Sequence, residues 1–67
     1  MDPSMRGLIE ETYFETAEEA LARSVSKLEA HKEGVTAAAM MLSSLTGLED
    51  EPAKAEVVGL NLRPATN

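Results

Sequence analysis

The chain has no cysteine and only one histidine in 67 residues, and that absence constrains its folding more than any residue it contains. Small chains that cannot build a large core are ordinarily held by disulfides or a zinc site, and both need thiolates or clustered imidazoles. A single core at this length rarely supplies more than about 3–5 kcal/mol. Self-association or a partner is left to close the gap, so a homodimer or higher oligomer is expected. The lack of cysteine also removes thiolate catalysis and a secreted disulfide framework, which points to a cytoplasmic location.

Twelve acidic residues against six basic ones leave a net charge of −6, which repels phosphate backbones and anionic lipid. Neither nucleic acid nor membrane is therefore expected as a partner. The longest uncharged run, Gly34 to Leu48, is interrupted by Thr36, Ser43, Ser44 and Thr46 and is too short and too polar to span a bilayer. Asp2 and Pro3 stand where a signal peptide needs basic and apolar residues. Met1 to Ser4 reads as a restriction-site remnant with Met5 as the natural start, and residues 1–7 are expected to form a flexible lead-in.

From Phe14 onward, Phe14, Ala17, Leu21, Ser24/Val25, Leu28, His31 and Val35 recur at intervals of three and four, with Ala, Glu, Lys and Arg between them. This is a helical pattern. Its start is ambiguous, because Thr12/Glu15 and Thr16/Glu19 both fit a capping box and Ser4 offers an earlier beginning. Met5, Leu8, Ile9 and Tyr13 form a separate stripe rotated by about 120°, so the helix must bend near Thr12 to Thr16 or meet a second neighbour. Acidic residues fill its first half and Arg23, Lys27 and Lys32 its second, which complements a helix dipole. Gly34 then reads as the C-terminal cap, with Thr36 opening a second helix, Ala37 to Thr46, that Gly47 ends. One continuous helix through Gly34 is the alternative. Glu49 to Pro52 reads as an acidic hinge, after which Val58, Leu60 and Leu62 alternate with polar residues in a strand period. The expected fold is all-α: a hairpin of a long and a short helix over residues 8–48, self-associating into a four-helix bundle, with a hinge and extended tail over 49–67. The expected oligomer core is Phe14, Ala17, Leu21, Val25, Leu28, Val35, Ala38, Leu42 and Leu45. The tail would be a disordered, frayed terminus, pair with its symmetry mate, or dock on the edge of a partner's sheet.

Few residues suggest chemistry. The run His31, Lys32, Gly34 faintly resembles the phosphoacceptor segment of histidine phosphotransfer domains, although Lys32 and Gly34 lie closer to the histidine than that pattern wants. A role for His31 at a helix C-terminus is the plainer expectation. Glu11, Glu15 and Glu18 share a helix ridge, but no Glu-x-x-His accompanies them, so the ridge reads as a solvated acidic face and not a metal site. The serines stand in no nucleophile elbow and the four glycines are isolated, so no phosphate loop is present. No enzyme activity, cofactor or metal is expected. The second helix is more informative, because the face opposite its leucines carries Thr36, Ala39, Met40, Ser43 and Thr46 and no charge. Both faces are therefore expected to be in contact with something. The expectation is a small non-enzymatic interaction protein, such as an adaptor, chaperone-like cap or accessory subunit. It would bind another protein through Met40, Met41, Ser43, Ser44, Val58, Leu60 and Leu62. A purely structural self-assembling coiled coil is the competing class.

Overall fold

The computed structural model of the chain describes residues 1–64, which form three α-helices: α1 (Pro3–Ala22), α2 (Lys27–Thr46) and α3 (Asp50–Gly59). Among the described residues there is no strand, and no helix is long and apolar enough to cross a membrane. The all-α expectation holds; the arrangement of two helices and a tail does not. The last three residues of the expected tail lie outside the described residues.

Helix α1 begins at Pro3, so most of the expected flexible lead-in is helical. Asp2 is the N-cap, and its carboxylate accepts a hydrogen bond from the Ser4 amide at 3.1 Å. Pro3 occupies a first-turn position where its missing N–H costs nothing. The Arg6–Glu10 pair, four residues apart and 3.0 Å between charged atoms, reinforces the second turn. Ile9, Tyr13, Ala17 and Ala20 make the buried stripe, so Tyr13, not Phe14, leads the face that meets α2. No bend at Thr12 is needed: Leu8 is half-exposed on the outer side while Ile9 and Tyr13 turn inward.

The break between the first two helices falls at Arg23–Ser26 instead of Gly34. Ser24 takes a left-handed conformation (φ 69°). Its amide bonds the Leu21 carbonyl at 2.9 Å, and the Val25 amide reaches back to the Ala20 carbonyl at 3.4 Å. That is a Schellman closure with serine where glycine is usual. Ser26 then caps α2, its hydroxyl accepting from the Glu29 amide at 3.1 Å. The Ser-x-x-Glu signature at Ser26–Glu29 was present in the sequence.

Gly34 lies in the middle of α2 and is buried. A Cβ there would stand 2.7 and 2.8 Å from two ring carbons of Tyr13 and 3.1 Å from its backbone oxygen. Glycine is therefore required by close approach, and its cost of about 1 kcal/mol in a helix interior is the price of seating the tyrosine ring. Ala30, Gly34 and Ala38, spaced by four, present a small-residue ridge on α2, and Ala17 and Ala20 do the same on α1.

Gly47 (φ 78°) ends α2, its amide bonding the Ser43 carbonyl at 2.8 Å. Two hydroxyls fasten the turn that follows. Ser43 donates to the Leu48 carbonyl, while Thr46 donates to the Leu42 carbonyl at 2.8 Å and accepts from the Leu48 amide at 3.2 Å.

The segment expected to be an extended tail is mostly helix α3. Glu49, Asp50 and Glu51 sit at its N-terminus, where negative charge is favourable, and Pro52 falls in the first turn, where no amide donor is needed. The acidic run and proline thus start a helix and do not stop one. Ala53 and Val57 are buried against α2, and Leu60 packs on the core, a spacing of four and three. The apparent alternation of Val58, Leu60 and Leu62 arises because the helix ends at Leu60 and Asn61 (φ 57°) reverses the chain. Helix α2 packs on both α1 and α3. The second contact surface expected from a symmetry mate is therefore supplied in part by the chain's own third helix.

Ser24 yields a direct test. A non-glycine residue in the left-handed region costs about 1–2 kcal/mol, and glycine returns about half of that as unfolded-state entropy. Ser24→Gly is expected to raise stability by about 0.5–1 kcal/mol, seen as a higher urea midpoint at unchanged slope. A lower midpoint would show that the α1–α2 closure has been misassigned.

Candidate functional site

His31 lies one turn before Gly34 on α2, partly buried, and its Nδ1 is 2.7 Å from the Tyr13 hydroxyl. The Tyr13 ring is fully buried and meets both neighbours edge-on: Phe14 at 5.2 Å between centroids and His31 at 5.7 Å. Burial pushes the Tyr13 hydroxyl above its ordinary ionisation range, and the Arg63 charge nearby pulls it part of the way back. The hydroxyl therefore keeps its proton at neutral pH. When it donates to Nδ1 of the neutral imidazole, the ring proton must sit on Nε2.

Two cavities meet at this imidazole. One, of about 300 Å³, lies between α2 and α3 and is lined by His31, Lys32, Val35, Thr36, Lys54 and Val58. The other, of about 400 Å³, is closed by the segment after α3 and lined by Lys27, Leu28, His31, Arg63 and Pro64. Only six lysines and arginines exist in the chain. Arg6 and Arg23 are paired with Glu10 and Glu33 at 3.0 and 2.6 Å. The remaining four, Lys27, Lys32, Lys54 and Arg63, all line these two cavities, and none has a carboxylate within ion-pair distance among the described residues. An acidic chain has thus gathered its free positive charge around its one histidine.

The residues expected to bind a partner are not brought together as a set. Met40 and Val58 are 64% and 54% exposed and lie at opposite ends of the α2–α3 groove, with Thr36 and Lys54 between them. Ser44 is exposed, whereas Met41, Leu60 and Leu62 pack against the core and Ser43 is engaged in the α2–α3 turn. The expected oligomer core divides as well. Ala17, Val35, Ala38 and Leu42 are buried within the chain, and Phe14, Leu21 and Val25 are partly buried against that core, but Leu28 and Leu45 are 63% and 47% exposed. The ridge of Glu11, Glu15 and Glu18 is exposed, and among the described residues no cluster of three or more His, Asp or Glu side chains is placed to hold a metal ion.

Sequence reasoning singled out His31 but missed Tyr13, Lys54 and Arg63 as its surroundings. Lys27 and His31, four apart, were a local signal for one shared ridge. Nothing local announces that the segment after α3 folds back to bring Arg63 alongside.

The tyrosine yields a prediction because it is the chain's only one. Its folded ionisation lies above the unfolded value of 10.0, so the protonated form is favoured by folding. That contribution is complete below pH 10.0 and is lost as pH rises towards the folded value. Tyrosinate absorbance should therefore appear later in native than in unfolded protein, with stability falling over the same interval. Tyr13→Phe should remove this tyrosine-linked fall and cost about 1 kcal/mol at neutral pH. Superimposable native and unfolded titrations would contradict the burial of Tyr13. Comparison with models of known protein families, with curated proteins and with solved structures found no match to this chain.

Proposed function

We propose that the protein is a small non-enzymatic interaction module that works as a homo-oligomer in the cytoplasm. One observation carries the reading: the exposed positions of α2 from Gly34 onward are uncharged. From Gly34 to Leu48 there is no Asp, Glu, Lys or Arg, although these make up 27% of the chain. Helix α3 helps bury Ala39, but Thr36, Met40 and Ser44, spaced by four along one ridge, remain exposed, as do Leu45 and Thr46. A surface helix in contact only with water ordinarily carries Lys and Glu at such positions.

A second copy is the natural occupant of this ridge. Two α1–α2 pairs facing each other through Thr36, Met40 and Ser44 form a two-fold, four-helix core with one α3 on each flank. Methionine suits the centre of such a contact because its unbranched thioether fills irregular space. The marginal core of a chain this short supplies the driving force. In this arrangement the acidic outer side of α1 and the cavity lined by Lys27, Leu28, His31, Arg63 and Pro64 lie off the contact ridge and stay available for a different partner, which is how a module of this kind would act as an adaptor or accessory subunit.

Sedimentation and thermal melting over a range of protein concentrations test the proposal. The expected result is a dimer or larger species whose melting temperature rises with concentration. Met40→Glu should shift it towards a monomer that keeps its helical circular dichroism. A cooperatively folded 7.2 kDa monomer at micromolar concentration, with a concentration-independent melting temperature, would overturn it.

A further inference from the structure

We propose that the two cavities sharing His31 bind a small phosphate-bearing ligand, with Lys27, Lys32, Lys54 and Arg63 as its charge partners and His31 Nε2 as a hydrogen-bond donor. The inference begins from where the chain spends its positive charge. Four of six basic side chains line two adjoining cavities, and none of the four is neutralised by an ion pair among the described residues. Like charges gathered in this way repel one another, and no packing requirement brings them together, because all four are exposed. An anion seated between them relieves that repulsion.

The number and arrangement of donors favour phosphate over a single carboxylate. One negative charge would leave most of the cluster uncompensated, whereas a phosphate or diphosphate carries two or more charges with several acceptor oxygens. Arg63 presents a planar fork suited to two of those oxygens, and the lysines are point charges with rotatable donors. His31 is held for the same task. The Tyr13 hydroxyl lies 2.7 Å from Nδ1; with the hydroxyl as donor the neutral ring presents an N–H at Nε2, and the protonated ring presents one as well. Tyr13 therefore acts as a positioning residue and need not touch the ligand.

The walls limit what else the ligand carries. Val35 and Val58 line one cavity, and Leu28 and Pro64 the other, so apolar surface flanks the charged groups on each side. Volumes of about 300 and 400 Å³ fall in the range of small-molecule sites. A ligand with a phosphate or diphosphate near His31 and a compact, partly apolar body fits this lining. A duplex does not, because its backbone would also meet the acidic groups beside the site. Glu33 shares an adjacent cavity with Lys32, and Asp50 and Glu51 share one with Lys54. These carboxylates bound the positive region and confine it to the two cavities.

The single histidine makes the test direct, since its imidazole ring protons are unique in the proton NMR spectrum. Inorganic phosphate and inorganic pyrophosphate are titrated into the full chain at fixed ionic strength, with sodium chloride as the control. Pyrophosphate is expected to shift the His31 resonances saturably and to bind more tightly than phosphate, because it reaches cations in both cavities. Lys54→Gln and Arg63→Gln should each weaken it about ten-fold, as loss of one charged hydrogen bond does, whereas Arg6→Gln should leave it unchanged. Circular dichroism checks that each variant stays folded, and Lys27→Gln provides the same test if Arg63→Gln disturbs the segment after α3. Shifts no larger than those in sodium chloride would overturn the proposal. So would equal weakening by Arg6→Gln, or binding only to nucleic acid or anionic vesicles. Because Thr36 lines the α2–α3 cavity and also belongs to the proposed dimer contact, the titration is repeated on Met40→Glu, which keeps its outcome separate from that of the dimer proposal.

Discussion

The structure depends on one close contact, the ring of Tyr13 lying over the missing side chain of Gly34. Tyr13 is the largest fully buried side chain in the molecule, and a single methyl group at position 34 would overlap its ring. The rest of the α1–α2 interface is consistent with that approach, because Ala17, Ala20, Ala30 and Ala38 keep the two backbones close above and below the tyrosine. Interfaces of small residues gain little from each side chain, so one buried aromatic ring contributes a large share of the apolar area. The same contact sets the geometry around His31. With the ring fixed, its hydroxyl reaches the imidazole one turn away on α2, and the imidazole is oriented towards the two cavities.

Charge is arranged around this pair in a way that folding does not require. Exposed ion pairs such as Arg6–Glu10 and Arg23–Glu33 contribute at most about 1 kcal/mol each. Four further cations take no part even in these, and five glutamates crowd the outer half of α1 instead of pairing with them. The separation of an acidic helix surface from a basic cavity is superimposed on a fold that apolar contacts and helix caps already specify.

What could be read from the sequence follows from how local the deciding interaction is. The helical content was readable because it rests on spacing and composition, and the end of α2 was readable because Gly47 needs only its own backbone angle. Gly34 was misread because His31, Lys32 and Glu33 followed by glycine looks locally like a helix end, while the residue that explains it, Tyr13, is on another helix. The real break was overlooked because Ser24 adopts the left-handed conformation without being glycine or asparagine, although Ser26 and Glu29 marked the new start. Helix α3 was taken for a tail because two patterns overlap there. Val58, Leu60 and Leu62 alternate, but Ala53, Val57 and Leu60 are the residues that meet the core. The basic cavities were out of reach entirely, since they join residues from α2, α3 and the returning segment.

The most direct measurement is the unfolding free energy of Gly34→Ala beside the parent chain. Helix propensity alone favours the alanine by about 1 kcal/mol, while overpacking a filled interface costs about 1–3 kcal/mol. With the added methyl group directed at a ring that has no free space around it, overpacking should dominate. Gly34→Ala is predicted to be less stable than the parent by roughly 1–2 kcal/mol and to disturb the His31 ring resonances. A stabilisation of about 1 kcal/mol, with those resonances unchanged, would contradict the seating of Tyr13 on Gly34 and the geometry built upon it.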